Sequence, residues 1–360
     1  MVARLMLVVW VIAALLLPGC GIGPAAGHSK GDQGLPYRSI LGPQAGGYAS
    51  TVAWPRGGVI VVGYVPADPA RLPEVRRLNA DGSEFRPVSL PDDPTCRRTS
   101  YQEFGVLHDG RLAIVKICDL PAGATPSAGY GAIAYDPNSG TVEQLFPVET
   151  NIHPTGLGFN PSDERAVTAQ GASICGTIAY LTRNGVEPIS ATVTDGDRQW
   201  RLDDYAKRRT GDDCSSIGRS DGPDWSPDGR QIAFLGFPRA IGKSGPARLE
   251  VPGNIYLMDT TTLSVKALVQ NLRFPAGVSW SPDGRWLAFS ASDLPGHGAG
   301  TWLLAVSTGN FVRVSERTMT EVGWSPDGRQ LVGLWDNGKG TWPPQTELDV
   351  FDVRSITAAS

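Results

Sequence analysis

Histidine, cysteine and methionine are scarce in these 360 residues, at four, five and four copies. The histidines (His28, His108, His153 and His297) are scattered, and no CxxC pair occurs. A zinc centre draws on closely spaced Cys and His, so no metal or cofactor site is predicted. Basic stretches are missing too: 32 Lys and Arg against 36 Asp and Glu leave a net charge of −4. That disfavours a nucleic-acid partner, which needs a basic domain or stripe. Only one apolar run is long, from Leu5 to Leu17. Its thirteen residues are too few to cross a hydrocarbon layer of about 30 Å as a helix. The GxSxG at Gly218–Gly222 runs into Pro223, whereas a nucleophile elbow needs a helix there. No catalytic residue is predicted.

Turn residues, in contrast, are abundant: 44 Gly and 29 Pro exceed average usage of about 7% and 5%. They are also periodic. The hexapeptide WSPDGR occurs at Trp225–Arg230, Trp280–Arg285 and Trp324–Arg329, each time followed by a short apolar run. Pro presets a turn, Asp can bond its own backbone, and Gly takes the left-handed conformation closed to other residues. The unit therefore reads strand, tight turn, strand. Looser copies are anchored at Trp54, Val106 and Phe159. The six anchors stand 52, 53, 66, 55 and 44 residues apart, each interval long enough for four strands. The expected fold is all-β, a six-bladed β-propeller of four-stranded antiparallel blades.

The WSPDG-type unit resembles the repeat of TolB-like propellers, which are related to WD-repeat proteins. The resemblance covers roughly residues 48 to 353. It implies the fold and not the Tol-system role, since TolB proper carries an additional α/β domain. Asp109, Asp228, Asp283 and Asp327 are expected to stabilise their own turns rather than to act in catalysis or bind calcium. Trp54, Trp225, Trp280 and Trp324 are expected between blades, so Trp280→Ala should lower the melting temperature more than it weakens any ligand.

The N-terminus reads as a targeting signal. Arg4, the apolar run and Leu17-Pro18-Gly19-Cys20 suit a secretory signal with small residues at the cut. The Cys resembles the lipidated residue of a bacterial lipobox, which implies lipidation of Cys20. The expected organisation is a signal peptide over 1–19, a lipidated Cys and Gly- and Ala-rich tether over 20–34, and the propeller over 35–360. This places the protein outside the cytoplasm, lipid-anchored to the cell membrane and monomeric. Leu35–Leu41 is expected to close the ring as outer strand of the last blade, beside Glu347–Val353.

In such a meander, first-to-second and third-to-fourth turns share one face, and the other connections share the opposite face. The first class is uniformly tight here. The second contains Pro91–Ser100, Leu120–Tyr130, Ala191–Ser220, Phe237–Gly253, Asp293–Gly300 and Asp336–Thr346. Variable loops on a rigid scaffold carry function, so the long-loop face is the predicted working face. Its aromatic and basic candidates are Arg97, Arg98, Trp200, Arg201, Arg208, Arg209, Arg239, Lys243, Trp335 and Trp342. The stretch around Trp200 is expected to form an amphipathic turn. After Cys20, the even number of Cys residues in an exported chain points to disulfides. Of three pairings, Cys96 with Cys118 and Cys175 with Cys214 join neighbouring long-loop segments.

The expected function is a non-enzymatic module that binds an envelope protein or glycan through that face. An accessory subunit of a membrane sensor or transporter is compatible with the same features. A different class is a propeller enzyme with a central-channel site, of lactonase, glycosidase or quinone-dependent dehydrogenase type. Just before the turns, where such a site would gather its groups, the residues are mostly apolar, with Asp224 and Glu321 the exceptions.

Overall fold

The computed structural model describes residues 34–44, 46–124, 127–149, 154–160, 165–170, 178–182, 185–189, 192–195, 198–201, 217–238, 252–337 and 344–357. Strands dominate them. The first sheet runs β2 (Gly47–Ala53), β3 (Val59–Pro66), β4 (Glu74–Asn79) and β5 (Arg86–Pro87), after β1 (Tyr37–Leu41), which belongs to the last sheet. The second comprises β6 (Arg98–Val106), β7 (Leu112–Asp119), β8 (Ala128–Tyr135) and β9 (Val142–Glu149). The third comprises β10 (Pro154–Phe159), β11 (Arg165–Gln170), β12 (Ile178–Thr182) and β13 (Gly185–Pro188). Then come β14 (Thr192–Asp195), β15 (Arg198–Arg201), β16 (Ile217–Trp225), β17 (Gln231–Pro238), β18 (Gly253–Asp259) and β19 (Ser264–Leu272) in one sheet. The next is β20 (Ala276–Trp280), β21 (Trp286–Leu294), β22 (Gly298–Ala305) and β23 (Phe311–Ser315). The last holds β24 (Glu321–Trp324), β25 (Gln330–Asp336) and β26 (Thr346–Asp352), followed by a one-turn helix, α1 (Arg354–Thr357).

The expected fold needs correction here: the structure shows five four-stranded antiparallel blades, not six. The remaining sheet is ordered β15-β14-β19-β18-β17-β16 and contains a parallel β14–β19 pair. The cause is the longest interval between repeats, which is long enough to carry a further hairpin. That hairpin arrives from the preceding sheet and adds to the open edge of β19. It also displaces the expected amphipathic turn, because residues 198–201 are a strand paired with β14. One lesser reading changes as well. Most of Asp293–Gly300 is strand, leaving a connection of only 295–297 between β21 and β22.

Ring closure follows the sequence reading. β1 pairs antiparallel with β26, Tyr37 opposite Phe351 and Arg38 opposite Val350. The first strands β2, β6, β10, β16, β20 and β24 stand side by side in that order, with β24 returning to β2. Apolar clusters fill the gaps between neighbouring sheets. Trp225, Trp280 and Trp324 are 8, 5 and 6% exposed, each packed against the sheet before its own. Trp225, for example, stacks on Tyr180 at 5.5 Å.

Each exact repeat closes its turn by one hydrogen-bond scheme. Asp228 Oδ1 accepts from Ser226 Oγ at 2.7 Å and Arg230 N at 3.0 Å. Asp283 does the same with Ser281 and Arg285, and Asp327 with Ser325 and Arg329. The Ser Oγ in turn accepts the amide of the next strand's first residue, at 2.9–3.0 Å. Gly284 and Gly328, at φ 70° and 67°, sit against Pro227 and Pro282 of the preceding sheet's turn. The repeat Asp residues are turn stabilisers.

Candidate functional site

The turns between first and second strands (54–58, 107–111, 226–230, 281–285 and 325–329) share one face with the third-to-fourth turns. The remaining connections lie at the opposite ends of the strands, and several of their described parts are firmly tied.

The connection 88–97 is held at several points. Cys96 and Cys118 form a disulfide. Lys116, whose side chain is 5% exposed in β7, donates to Asp93 Oδ2 at 2.6 Å and to Gln144 Oε1 at 3.0 Å. Asp93 also caps its own turn, accepting from Thr95 N at 2.9 Å. The Lys116 ammonium, first, and Thr95 hold the Asp93 carboxyl far below the usual carboxylate range. Tyr101 Oη donates to Pro91 O at 2.5 Å, and burial raises its phenol to about 12. Arg97 and Arg98, at the end of this tied loop, are exposed. Arg97 reaches Asp119 at 3.6 Å. For the crosslink between residues 22 apart, loop-closure entropy gives about 3 kcal/mol. Urea unfolding with and without dithiothreitol should differ by about that amount. A difference below about 1 kcal/mol would leave the disulfide without a stabilising role.

A second tie lies in the connection from β23 to β24. Arg317 Nη1 donates to Asp349 at 2.7 Å and Glu347 at 3.2 Å. Its guanidinium lies over the rings of Trp335, at 4.0 Å, and Tyr37, at 4.7 Å. Trp335, a candidate binding residue, is thus engaged within the fold.

Between β19 and β20, Phe274 is 49% exposed and holds φ +43°, a conformation costly for a bulky residue. The backbone beside it is pinned: Arg273 N donates to Asp293 O at 3.1 Å, and Ser292 N donates to Arg273 O at 2.9 Å. Sequence reading missed Phe274, because a connection of three residues gave no sign of a working loop.

Arg198–Arg201 bring Trp200 and Arg201 into β15. Cys20, Cys175, Arg208, Arg209, Cys214, Arg239, Lys243 and Trp342 lie outside the described residues. Among the described residues, no group of three or more His, Cys, Asp or Glu is placed to hold a metal ion.

Asp224, on first strand β16, has the electrostatics of a channel acid but not the freedom. Burial raises its carboxyl to about 6. Oδ2 accepts Trp280 N of the next sheet at 2.7 Å, and Oδ1 accepts Trp225 N at 2.9 Å. Its role is to tie β16 to β20. The folded value lies above the ordinary 3.8, so the protonated carboxyl adds stability that is complete below pH 3.8. That contribution disappears as pH rises through about 6. Between these limits the wild type should lose up to about 3 kcal/mol, a dependence that Asp224→Asn removes. Parallel stability–pH curves for the two proteins would contradict this assignment.

No family model matches the sequence. A curated relative, the uncharacterized peptidase YuxL of Bacillus subtilis, is 26% identical over 156 residues. The match takes in 42% of this chain and 23% of that protein, so it spans less than a quarter of the relative. Among solved structures, TolB from Acinetobacter baumannii aligns over 84% of this chain and 78% of its own, at TM-score 0.48 and 14% identity. An α-L-arabinofuranosidase from Fusarium graminearum, in complex with an iminosugar inhibitor, aligns over 91% of this chain and 99% of its own. Its TM-score is 0.51 at 9% identity, a likeness of fold alone.

Proposed function

We propose that this chain is an extracytoplasmic, membrane-anchored binding module that holds an envelope protein or glycan on its long-loop face. The observation that carries the reading is the way that face is built. Connection 88–97 is tied by a disulfide, an ion pair and a buried phenol, with two exposed arginines at its end. Phe274 stands exposed in a strained conformation on pinned backbone. Holding recognition groups in place before binding reduces the ordering cost of association. Exposed aromatic and Arg side chains are the usual anchors. The turn chemistry of the opposite face is consumed by its own structure.

The test is retention of envelope components by the full chain in detergent, set against two variants. Phe274→Ala should weaken a specific partner by about thirtyfold, the scale of an anchoring aromatic. Its melting temperature should not fall, since the exposed side chain supports little packing. Arg230→Ala with Arg329→Ala, on the tight-turn face, should leave retention unchanged. Loss in the second variant with retention in the first would reverse the assignment of the face.

A further inference from the structure

The three exact repeats pack turn against turn, but the two junctions between them are not filled alike. Between the sheets of β20 and β24, Trp324 Nε1 donates to Ser279 O at 3.2 Å. Trp286, the residue after that junction's first turn, is buried in the same apolar cluster as Trp324. Between the sheets of β16 and β20, the corresponding residue is Gln231. A half-buried amide stands in place of a buried indole, and a cavity of about 270 Å³ opens beside it. Ser226, Pro227, Asp228 and Gln231 line the cavity from one turn, with Trp280 and Asp283 from the next. Trp280 is buried, and among the described residues its indole Nε1 has no hydrogen-bond partner. The Trp225 indole differs, since its Nε1 donates to Gly229 O at 3.0 Å.

We propose that this cavity binds a small neutral polyhydroxylated ligand, such as a single sugar unit. The site lies on the tight-turn face and does not depend on the reading of the long-loop face. Its hydrogen-bonding groups select the ligand class. Asp228 uses Oδ1 in its own turn. Its Oδ2 stands 4.0 Å from Arg230 Nε, beyond hydrogen-bond length, and can accept from a ligand. Gln231 can donate and accept, whereas the Trp280 indole can only donate. A hydroxyl does both, so a polyol can satisfy all three groups. A cation would leave the Trp280 N–H without an acceptor, and an anion would face Asp228 and Asp283. Both carboxylates also have counter-charges, Arg230 at 4.0 Å and Arg285 at 2.8 Å. The walls therefore hold no surplus charge to draw in an ion.

The experiment follows the tryptophan indole N–H resonances of the full chain, with that of Trp280 assigned through Trp280→Phe. The probes are glucose, galactose, mannose and N-acetylglucosamine, with methylguanidinium and acetate as charged counterparts. At least one sugar should shift the Trp280 signal saturably, and at lower concentration than either ion. Asp228→Asn keeps an Oδ1 for the turn and loses the second acceptor, so it should weaken binding about tenfold. Asp327→Asn makes the same change in a turn that does not line the cavity, and should leave the affinity unchanged. Gln231→Trp installs the next repeat's residue in the cavity and should abolish the shift. No shift with any of the four sugars, or tighter binding of either ion, overturns the proposal. So does a shift that survives Gln231→Trp, or an equal loss in the two Asn variants, which would implicate turn stability instead of the cavity.

Discussion

Arg317→Met should cost about 3–5 kcal/mol of stability, the scale for removing one partner of a buried ion pair. The reason lies in what remains. Asp349, in β26, is 0% exposed, and its main counter-charge is the Arg317 guanidinium at 2.7 Å. Even in the intact protein, burial holds its carboxyl above the usual carboxylate value. Without Arg317 the carboxylate must stay charged in a poor environment or bind a proton. The stacking on Trp335 and Tyr37 is lost in the same step, loosening β1 against β26 where the ring is tied. Asp349→Asn should cost less, because Arg317 is 26% exposed and keeps Glu347 at 3.2 Å. The signature is in the pH dependence. Acid neutralises the stranded carboxyl, so the penalty of Arg317→Met should shrink as pH falls from 7 to 4. A penalty under about 1 kcal/mol, or one independent of pH, would show that packing rather than charge holds this junction.

Asp93→Ala is expected to cost a similar amount, about 3–5 kcal/mol, and to loosen the loop that presents Arg97 and Arg98. It strands the buried Lys116 ammonium with Gln144 as its other contact, and it removes the cap on Thr95. Adding Lys116→Met to Asp93→Ala should recover part of the loss, since a well-packed apolar pair needs no counter-charge. If the double variant is no more stable than the single one, the ion pair is not the cause. The carboxyl titrates below its ordinary value of 3.8. Its contribution is therefore complete above pH 3.8 and lost as pH falls further. This is opposite in sign to Asp224, whose contribution is lost as pH rises. The two variants should separate cleanly in a stability–pH profile. Reduction of Cys96–Cys118 in an Asp93→Ala background should cost more than the two changes predict separately, because both ties hold one loop.

What was legible in the sequence was local. The Ser-Pro-Asp-Gly turns could be read because each hydrogen bond joins residues two to five positions apart. Short apolar runs marked β3, β7, β17 and β21, and the repeat tryptophans were rightly expected between sheets. The Leu35–Leu41 strand could be placed because a ring escapes open edges only when its ends are tied. Other features needed the folded chain. Ala49 N donates to Thr346 Oγ1 across 297 residues, and no spacing announces such a contact. Arg317, Asp349 and Tyr37 meet only once the ring has closed. The β14–β15 hairpin joins β19 because an open edge happens to lie beside it, a fact of tertiary placement rather than of strand propensity. Burial, which sets the Asp224 and Asp349 carboxyls above their ordinary values, belongs to the assembled sheets alone. Turn chemistry acts over a few bonds and is written residue by residue. Edge pairing, desolvation and charge partnership depend on which surfaces the fold brings together.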